Sequence, residues 1–283
     1  MPRSAALDPL AIVEASPAAV LRKDQPGWVS LFTEDALVED PVGAAQYRGH
    51  ARLRAFWGVF IAPQQSIVFH PHRDFVSPTV VVRQVTIATV TPVSSRPLEV
   101  EAILEYRLQG PRVASMRAFW DPRGPVAWHQ QQGPRGVLGL VRHGGRLVLG
   151  LGPGAALAFG RAMLPALRPA AARAMVERIA AAPREAWLEA MRGARLEAVN
   201  LGEQLDTRDD STHGPAHEPA GAFAGLRRDG RPRRAEAITV AGSHVAAILV
   251  DDGPSDGPDA APDVAMIARV DGGRIADLLL LGR

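Results

Sequence analysis

The sequence contains no cysteine, which excludes disulfide staples and thiolate-held metals. Lysine is almost absent too. Lys23 is the only one, so the formal net charge of +2 rests on arginine, and no run of cations is dense enough to form a nucleic-acid groove. No glycine-rich loop follows a strand into a helix. Gly152-Pro153-Gly154 lacks the Lys and Ser/Thr of a phosphate cradle. No cofactor and no metal is implied. Tyrosine occurs only at Tyr47 and Tyr106, so none precedes Asp40. A long apolar span is also missing: the uncharged run Leu147–Gly160 falls short of the ~20 residues that cross a bilayer. Asp8 and Glu14 interrupt the first apolar stretch, which makes it a poor secretory signal, and a cytoplasmic location is the expectation.

What is present points to two packed domains. The chain has 283 residues, of which 47% are hydrophobic, enough for more than one core. Asp8 and Pro9 mark the start of a first helix reaching Leu21, with Pro17 as an interruption or break. A short helix follows around Trp28. Leu37 and Val38 then carry strand propensity, and Pro41 and Gly43 end the strand. Asp40 stands at that strand end. It is either a turn residue or a carboxylate fixed over an apolar cavity, where it can act as a general base.

Gly49–Ile61 reads as a helix with Leu53, Phe56, Trp57 and Phe60 on one face. The period then shortens to two. Ser66–Val76, Thr79–Val90, Pro97–Leu108 and Arg112–Trp120 read as four strands, punctuated by Pro78, Pro92 and Gly110-Pro111. Helices followed by an antiparallel meander indicate an α+β fold.

Residues 1–125 closely resemble the ketosteroid isomerase family of the NTF2-like (SnoaL-like) superfamily. The resemblance rests on Trp28, Phe32, Asp35, the Val38-Glu39-Asp40-Pro41-Val42-Gly43 block, Gly49, Phe56-Trp57, Arg112-Val113 and Met116-Arg117-Ala118-Phe119-Trp120. It implies a curved sheet wrapped around a pocket closed by helices, and an apolar, steroid-like ligand. It implies a Δ5–Δ4 isomerase in which Asp40 carries the proton, with Phe32, Phe56, Trp57, Leu104 and Trp120 at the pocket. The family's hydrogen-bond donors to the substrate oxygen are replaced. Ser16 stands where the family has its tyrosine, and Leu104 where it has a protonated aspartic acid. Ser16, or His70 or His72 on the first long strand, is the expected substitute donor. Two other readings remain. One is a steroid- or polyketide-binding protein without chemistry, and the other a structural tandem module.

Beyond the first domain, residues 126–168 read as a linker with an apolar, glycine-rich segment. That segment (136–167) is either a packed hairpin or a peripheral membrane contact aided by Arg142, Arg146 and Arg161. Residues 169–283 read as a degenerate second copy of the fold. Arg269-Val270-Asp271-Gly272-Gly273-Arg274-Ile275-Ala276 matches Arg107–Ala114 without a gap. Trp187–Val199 can be laid on Trp28–Asp40, with Leu196 on Leu37, which would put Val199 at the position of the base. Val240–Val250 reads as a middle strand. The family's usual pairing would then be an intramolecular pseudo-dimer or a homo-oligomer. Asp209, Asp210, His213, His217 and Glu218 read as a solvated loop rather than a metal site.

Overall fold

The computed structural model describes residues 8–164, 167–199, 222–223, 226, 233–251 and 263–283. They divide into one unit within residues 8–164 and a second within 167–283. The loop holding Asp209, Asp210, His213, His217 and Glu218 lies outside the described residues.

The first helix, α1 (Pro9–Leu21), starts as its sequence dictates. Asp8 caps it, its carboxylate accepting from Leu10 N at 3.0 Å, and Pro9 fills the first turn. Pro17 does not interrupt it. A proline inside a helix removes one backbone hydrogen bond. Here Val13, Ser16, Ala19 and Val20 are buried on one side of the helix, and that packing holds it continuous. After α2 (Gln25–Ser30) come β1 (Phe32–Glu39), β2 (Gln46–Arg48) and α3 (Gly49–Phe60). Gly49 has φ +77°, a left-handed turn from strand to helix that favours glycine. Four long strands follow: β3 (Ser66–Val76), β4 (Val80–Thr91), β5 (Ser94–Gln109) and β6 (Arg112–Phe119).

The six strands form one sheet in the order β2-β1-β6-β5-β4-β3. β1 runs parallel to β6, and every other neighbour is antiparallel. Alternation along β5 sends Leu98, Val100, Ala102, Leu104 and Tyr106 to the concave face, towards α1 and α3. Trp28 is fully buried at the centre of this core, 4.6 Å from Phe32 and 5.5 Å from Trp57 between ring centroids.

The stretch expected to be a linker is instead helical. α4 (Arg123–Gln131), α5 (Gly133–Leu151) and α6 (Pro153–Ala162) belong to the first unit. Leu147, Leu151 and Ala155 join its core, and Arg52 Nη2 donates to Leu151 O at 3.1 Å. The glycines that suggested a loop have a packing role. A Cβ at Gly139 would lie 2.7 Å from Val93 Cγ1, and one at Gly150 2.7 Å from Val59 Cγ2, so glycine lets α5 approach the cone. At Gly144, by contrast, there is open space.

The second unit contains α7 (Pro169–Ala181), α8 (Arg184–Ala190), β7 (Arg195–Val199), β8 (Arg233–Ala241), β9 (His244–Asp251), β10 (Val264–Asp271) and β11 (Arg274–Gly282). Its sheet has the order β7-β11-β10-β9-β8, again with a parallel first strand beside the last. The two hairpins suggested by sequence share a detail that sequence does not show. The register shifts between Arg107 and Leu108 in one and between Arg269 and Val270 in the other. Two expectations are corrected. Val240–Val250 contains most of β9, a middle strand, but its first residues are the end of β8 and the hairpin turn, with Gly242 at φ +56°. Leu196 pairs with Leu278 as Val38 pairs with Met116, one residue from the expected match. In that register Ala198, not Val199, takes the place of Asp40. A slip of one residue exchanges the two faces of a strand, so the correction decides which side chain faces the core.

Filling the inner side of α5 should loosen the first unit. Gly139→Leu is expected to lower stability by about 1–3 kcal/mol through overpacking against Val93. Gly144→Ala is expected to raise it by ~0.5–1 kcal/mol through reduced chain entropy. Thermal unfolding of the two variants beside the parent checks both signs.

Candidate functional site

The concave face of the first sheet encloses a cavity of about 310 Å³, within the size range of small-ligand sites. Its walls are mostly apolar. Phe56 and Phe60 of α3, Phe69 of β3, Ile87 of β4 and Leu104 of β5 all contribute. α4, α5 and α6 add a further side through Val126, Leu140 and Phe159.

Asp40 lies on this wall, just beyond the end of β1. The turn after it is tied down: Val42 N donates to Ala118 O at 2.8 Å, and the Asp40–Pro41 bond is cis. The neighbouring carboxylate, Glu39, points to the other face of the sheet. There Arg117 bridges Glu39 (3.3 Å) and the buried Glu105 (3.2 Å). Of the two adjacent acids, therefore, one is held in an ion-pair network and the other faces the cavity. Among the described residues Asp40 has no cationic partner, and its one hydrogen bond comes from Trp120 Nε1, which donates to Oδ1 at 2.6 Å. Burial pushes the Asp40 carboxyl up to about 6, and the indole hydrogen bond offsets only part of that rise. A carboxylate near this value accepts a proton readily and returns it readily, which suits a general base.

Tyr106 is fully buried and shares the cavity with Asp40. Its phenol is pushed up to about 12, by burial first, against the Arg83 charge; the Asp40 charge also raises it. At pH 7 it is a neutral donor. Ser16 hydrogen-bonds the phenol, and Trp28 Nε1 donates to Ser16 Oγ at 3.0 Å. The three groups form a chain. The indole N–H occupies the serine oxygen, so the serine O–H is free to turn to the phenol oxygen, an orientation that leaves the phenol O–H for a ligand. Each bond in such a chain polarises the next. Tyr47, also buried, lies near enough to Asp40 for that charge to raise it further, after burial. It does not line the cavity.

The helices over the cavity bring a third polar group. His143 lines it and is pushed below its usual value, by burial first and then by the charges of His129 and Arg146. His129 lines it too, its Nδ1 bonded to Pro125 O at 2.8 Å. The imidazole of His143 is neutral at pH 7 and offers a ligand either a donor or an acceptor.

Among the residues expected from sequence, Asp40, Ser16, Phe56, Leu104 and Trp120 meet at the cavity. Phe32 and Trp57 do not line it; they pack behind Trp28 as core. His70 and His72 are exposed, and His72 Nε2 bonds Thr86 Oγ1 at 2.7 Å on the outside of the sheet. Neither reaches the cavity. Period two explains this: Ile67 and Phe69 point inward, and the register shift after Pro71 ends the alternation. Tyr106 was the residue that sequence reasoning missed. The signal was available, since Tyr106 is two positions beyond Leu104 and so on the same face. His129 and His143 lie past the region that carries the family resemblance. Only the spacing of Gly136, Leu140, His143, Leu147 and Leu151 on one side of a helix marks His143, and no such pattern marks His129.

The raised Asp40 has a consequence for stability. The folded protein binds a proton at Asp40 more tightly than an unfolded chain, whose ordinary value is 3.8. Folding is therefore favoured below that value, and this contribution is lost as pH rises from about 4 to about 6. Asp40→Asn removes the charge and keeps an acceptor for Trp120. The variant should be the more stable form at pH 7, by on the order of 1–3 kcal/mol, and the difference should vanish below about pH 4. Urea unfolding of both proteins across this range checks it.

Comparison with known proteins agrees with the topology. Residues 13–116 match the family described as SnoaL-like domain. No curated protein matches the chain in sequence. Among solved structures, a Mycobacterium tuberculosis protein in complex with estradiol-17beta-hemisuccinate is 22% identical with a TM-score of 0.38, covering 40% of this chain and 94% of its own. A Δ5-3-ketosteroid isomerase from Mycobacterium sp. is 26% identical with a TM-score of 0.38, covering 41% and 94%. SalBIII, an epoxide hydrolase/cyclase-like enzyme of pyran ring formation in the polyether salinomycin, is 22% identical with a TM-score of 0.37, covering 41% and 92%. With its six-stranded order, its parallel β1–β6 pair and its cone closed by helices, the segment 13–116 is a SnoaL-like domain of the NTF2-like fold.

Proposed function

We propose that the first unit is an isomerase of apolar carbonyl compounds, of the ketosteroid Δ5–Δ4 type. The carrying observation is a carboxyl raised to about 6, without a cationic partner, in a cavity that also holds a neutral phenol. Asp40 takes the proton from the carbon between the carbonyl and the double bond. The electron pair moves to the carbonyl oxygen, giving a dienolate. Tyr106 donates to that oxygen, supported by Ser16 and Trp28, and His143 is a second donor on the far side of the cavity. Asp40 then returns the same proton to the distal carbon, so no co-reactant is consumed. Stabilisation of a developing oxyanion by placed donors is often the largest part of such catalysis. In this reading Tyr106, reached from β5, does from the sheet what the family's tyrosine does from the first helix.

The second unit fits a copy that has lost the site. Ala198 stands in the register of Asp40. Trp187, the counterpart of Trp28, is buried and its Nε1 has no hydrogen-bond partner among the described residues.

One observation favours a binding protein instead: Ser16 and Leu104 themselves carry neither a phenol nor an acid. Ultraviolet absorbance of the full chain with a Δ5-3-ketosteroid separates the two readings. The isomerase reading expects a growing conjugated-enone band. Asp40→Asn should slow it by ~10²–10⁴-fold. Tyr106→Phe should lower kcat by ~10²–10³-fold with little change in KM. The kcat/KM of the parent should fall on the acid side with a midpoint of about 6. Tight binding of the product steroid without turnover would select the binding protein, and turnover untouched by Asp40→Asn would remove Asp40 from the mechanism.

A further inference from the structure

The helix α5 is apolar on two sides. Its inner side packs on the cone through Leu140, Leu147 and Leu151, with Gly136 against the end of α4. Its outer side exposes Val137, Leu138, Val141, Val148 and Leu149, the last 89% exposed. At about 100° per residue these five fall within about 120° of the helix circumference. Arg135, Arg142 and Arg146 are also exposed and form a single stripe along one margin of that face. Leu157 of α6 and Leu164 beyond it are exposed as well, with Arg161 near them in sequence.

The charge around this face has one sign. From Pro122 to Val176 the sequence has no Asp or Glu and seven Arg. An apolar strip margined by arginine, with no acid on the same helices, fits a surface that is apolar inside and anionic at its margin. A second copy of the chain fits poorly. A two-fold contact sets the same patch against itself, so the arginine stripe would meet its own image with no carboxylate to pair. No helix of the described residues is long and apolar enough to cross a bilayer, so the contact lies in the interface plane.

We propose that the outer face of α5 docks the first unit on an anionic lipid surface, with Val137, Val141, Val148 and Leu149 entering the acyl boundary and Arg135, Arg142 and Arg146 reaching the headgroups. Arginine stems follow an apolar surface while their heads stay in the polar layer. The opposite side of the same helix lines the cavity through Gly139, Leu140 and His143, and Arg142 and Arg146, at the margin between the two sides, border both. The width of one helix therefore separates the lipid boundary from the ligand site. A water-insoluble ligand taken from the bilayer would have a short path beside α5. The docking stands independently of the chemistry assigned to Asp40.

The test is partition of the full chain onto sedimented vesicles, of phosphatidylcholine alone and of phosphatidylcholine mixed with phosphatidylglycerol. The parent should partition onto the anionic vesicles and lose most of that binding in high salt. The double variant Val141→Asp, Leu149→Asp should bind at least about tenfold more weakly. Arg135→Glu should bind several-fold more weakly to the anionic vesicles only. Both changes are at exposed positions, and circular dichroism confirms that the variants fold. The proposal is overturned if the parent stays in solution with both vesicles, or if the double variant binds as the parent does. It is also overturned if sedimentation velocity shows a dimer that the double variant abolishes, which would give the face to a second copy.

Discussion

A carboxyl that lines an apolar cavity and has, among the described residues, no cation beside it determines much of the rest of the first unit. Such a group costs free energy when ionised, and something must both fix its position and limit that cost. Trp120 does so from the end of β6 with a single indole hydrogen bond. Because the partner is neutral, the carboxyl keeps a raised affinity for protons; an arginine at the same place would have abolished it. The protein does hold arginines near this strand, but it spends Arg117 on Glu39 and Glu105 on the opposite face. The alternation of adjacent side chains across a strand thus separates an ion-paired acid from one that faces the cavity.

The same alternation explains what was legible in the sequence. The Val38–Gly43 block located Asp40, and the four long strands were bounded within a few residues by proline, glycine and period two. The core around Trp28 followed from aromatic residues at helical spacing. What failed were statements that depend on orientation. Phe32 and Trp57 were apolar and near the right elements, yet they sit one layer behind the cavity. His70 and His72 were on the right strand but on its outer side. Tyr106 lies on β5, where the resemblance places no phenol, and it reaches Ser16 from the facing strand. A cavity wall depends on which side chain fills a space, and that choice is made across elements far apart in sequence.

Glycine gave the other lesson. In the segment after Trp120, glycine and proline suggested a linker. Gly139 and Gly150 instead lie where α5 presses on Val93 and Val59. A breaker by propensity is a permissive contact when packing supports the helix around it. The helices thus formed enclose the cavity beyond the SnoaL-like domain itself and supply His129 and His143. In the second unit the sheet likewise sets its first strand parallel to its last, while among the described residues Ala198 carries no acid and the Trp187 indole N–H has no partner.

The central claim is that Asp40 is a carboxyl whose proton affinity is raised by the cavity. Titration of the carboxyl signals by NMR, in protein labelled with carbon-13 at the aspartate side chains, measures it directly, with Asp40→Asn to assign the resonance. The account predicts a midpoint of about 6 for Asp40. A midpoint near the ordinary 3.8 would mean that water reaches the carboxyl freely, and it would contradict both the dry cavity and the base.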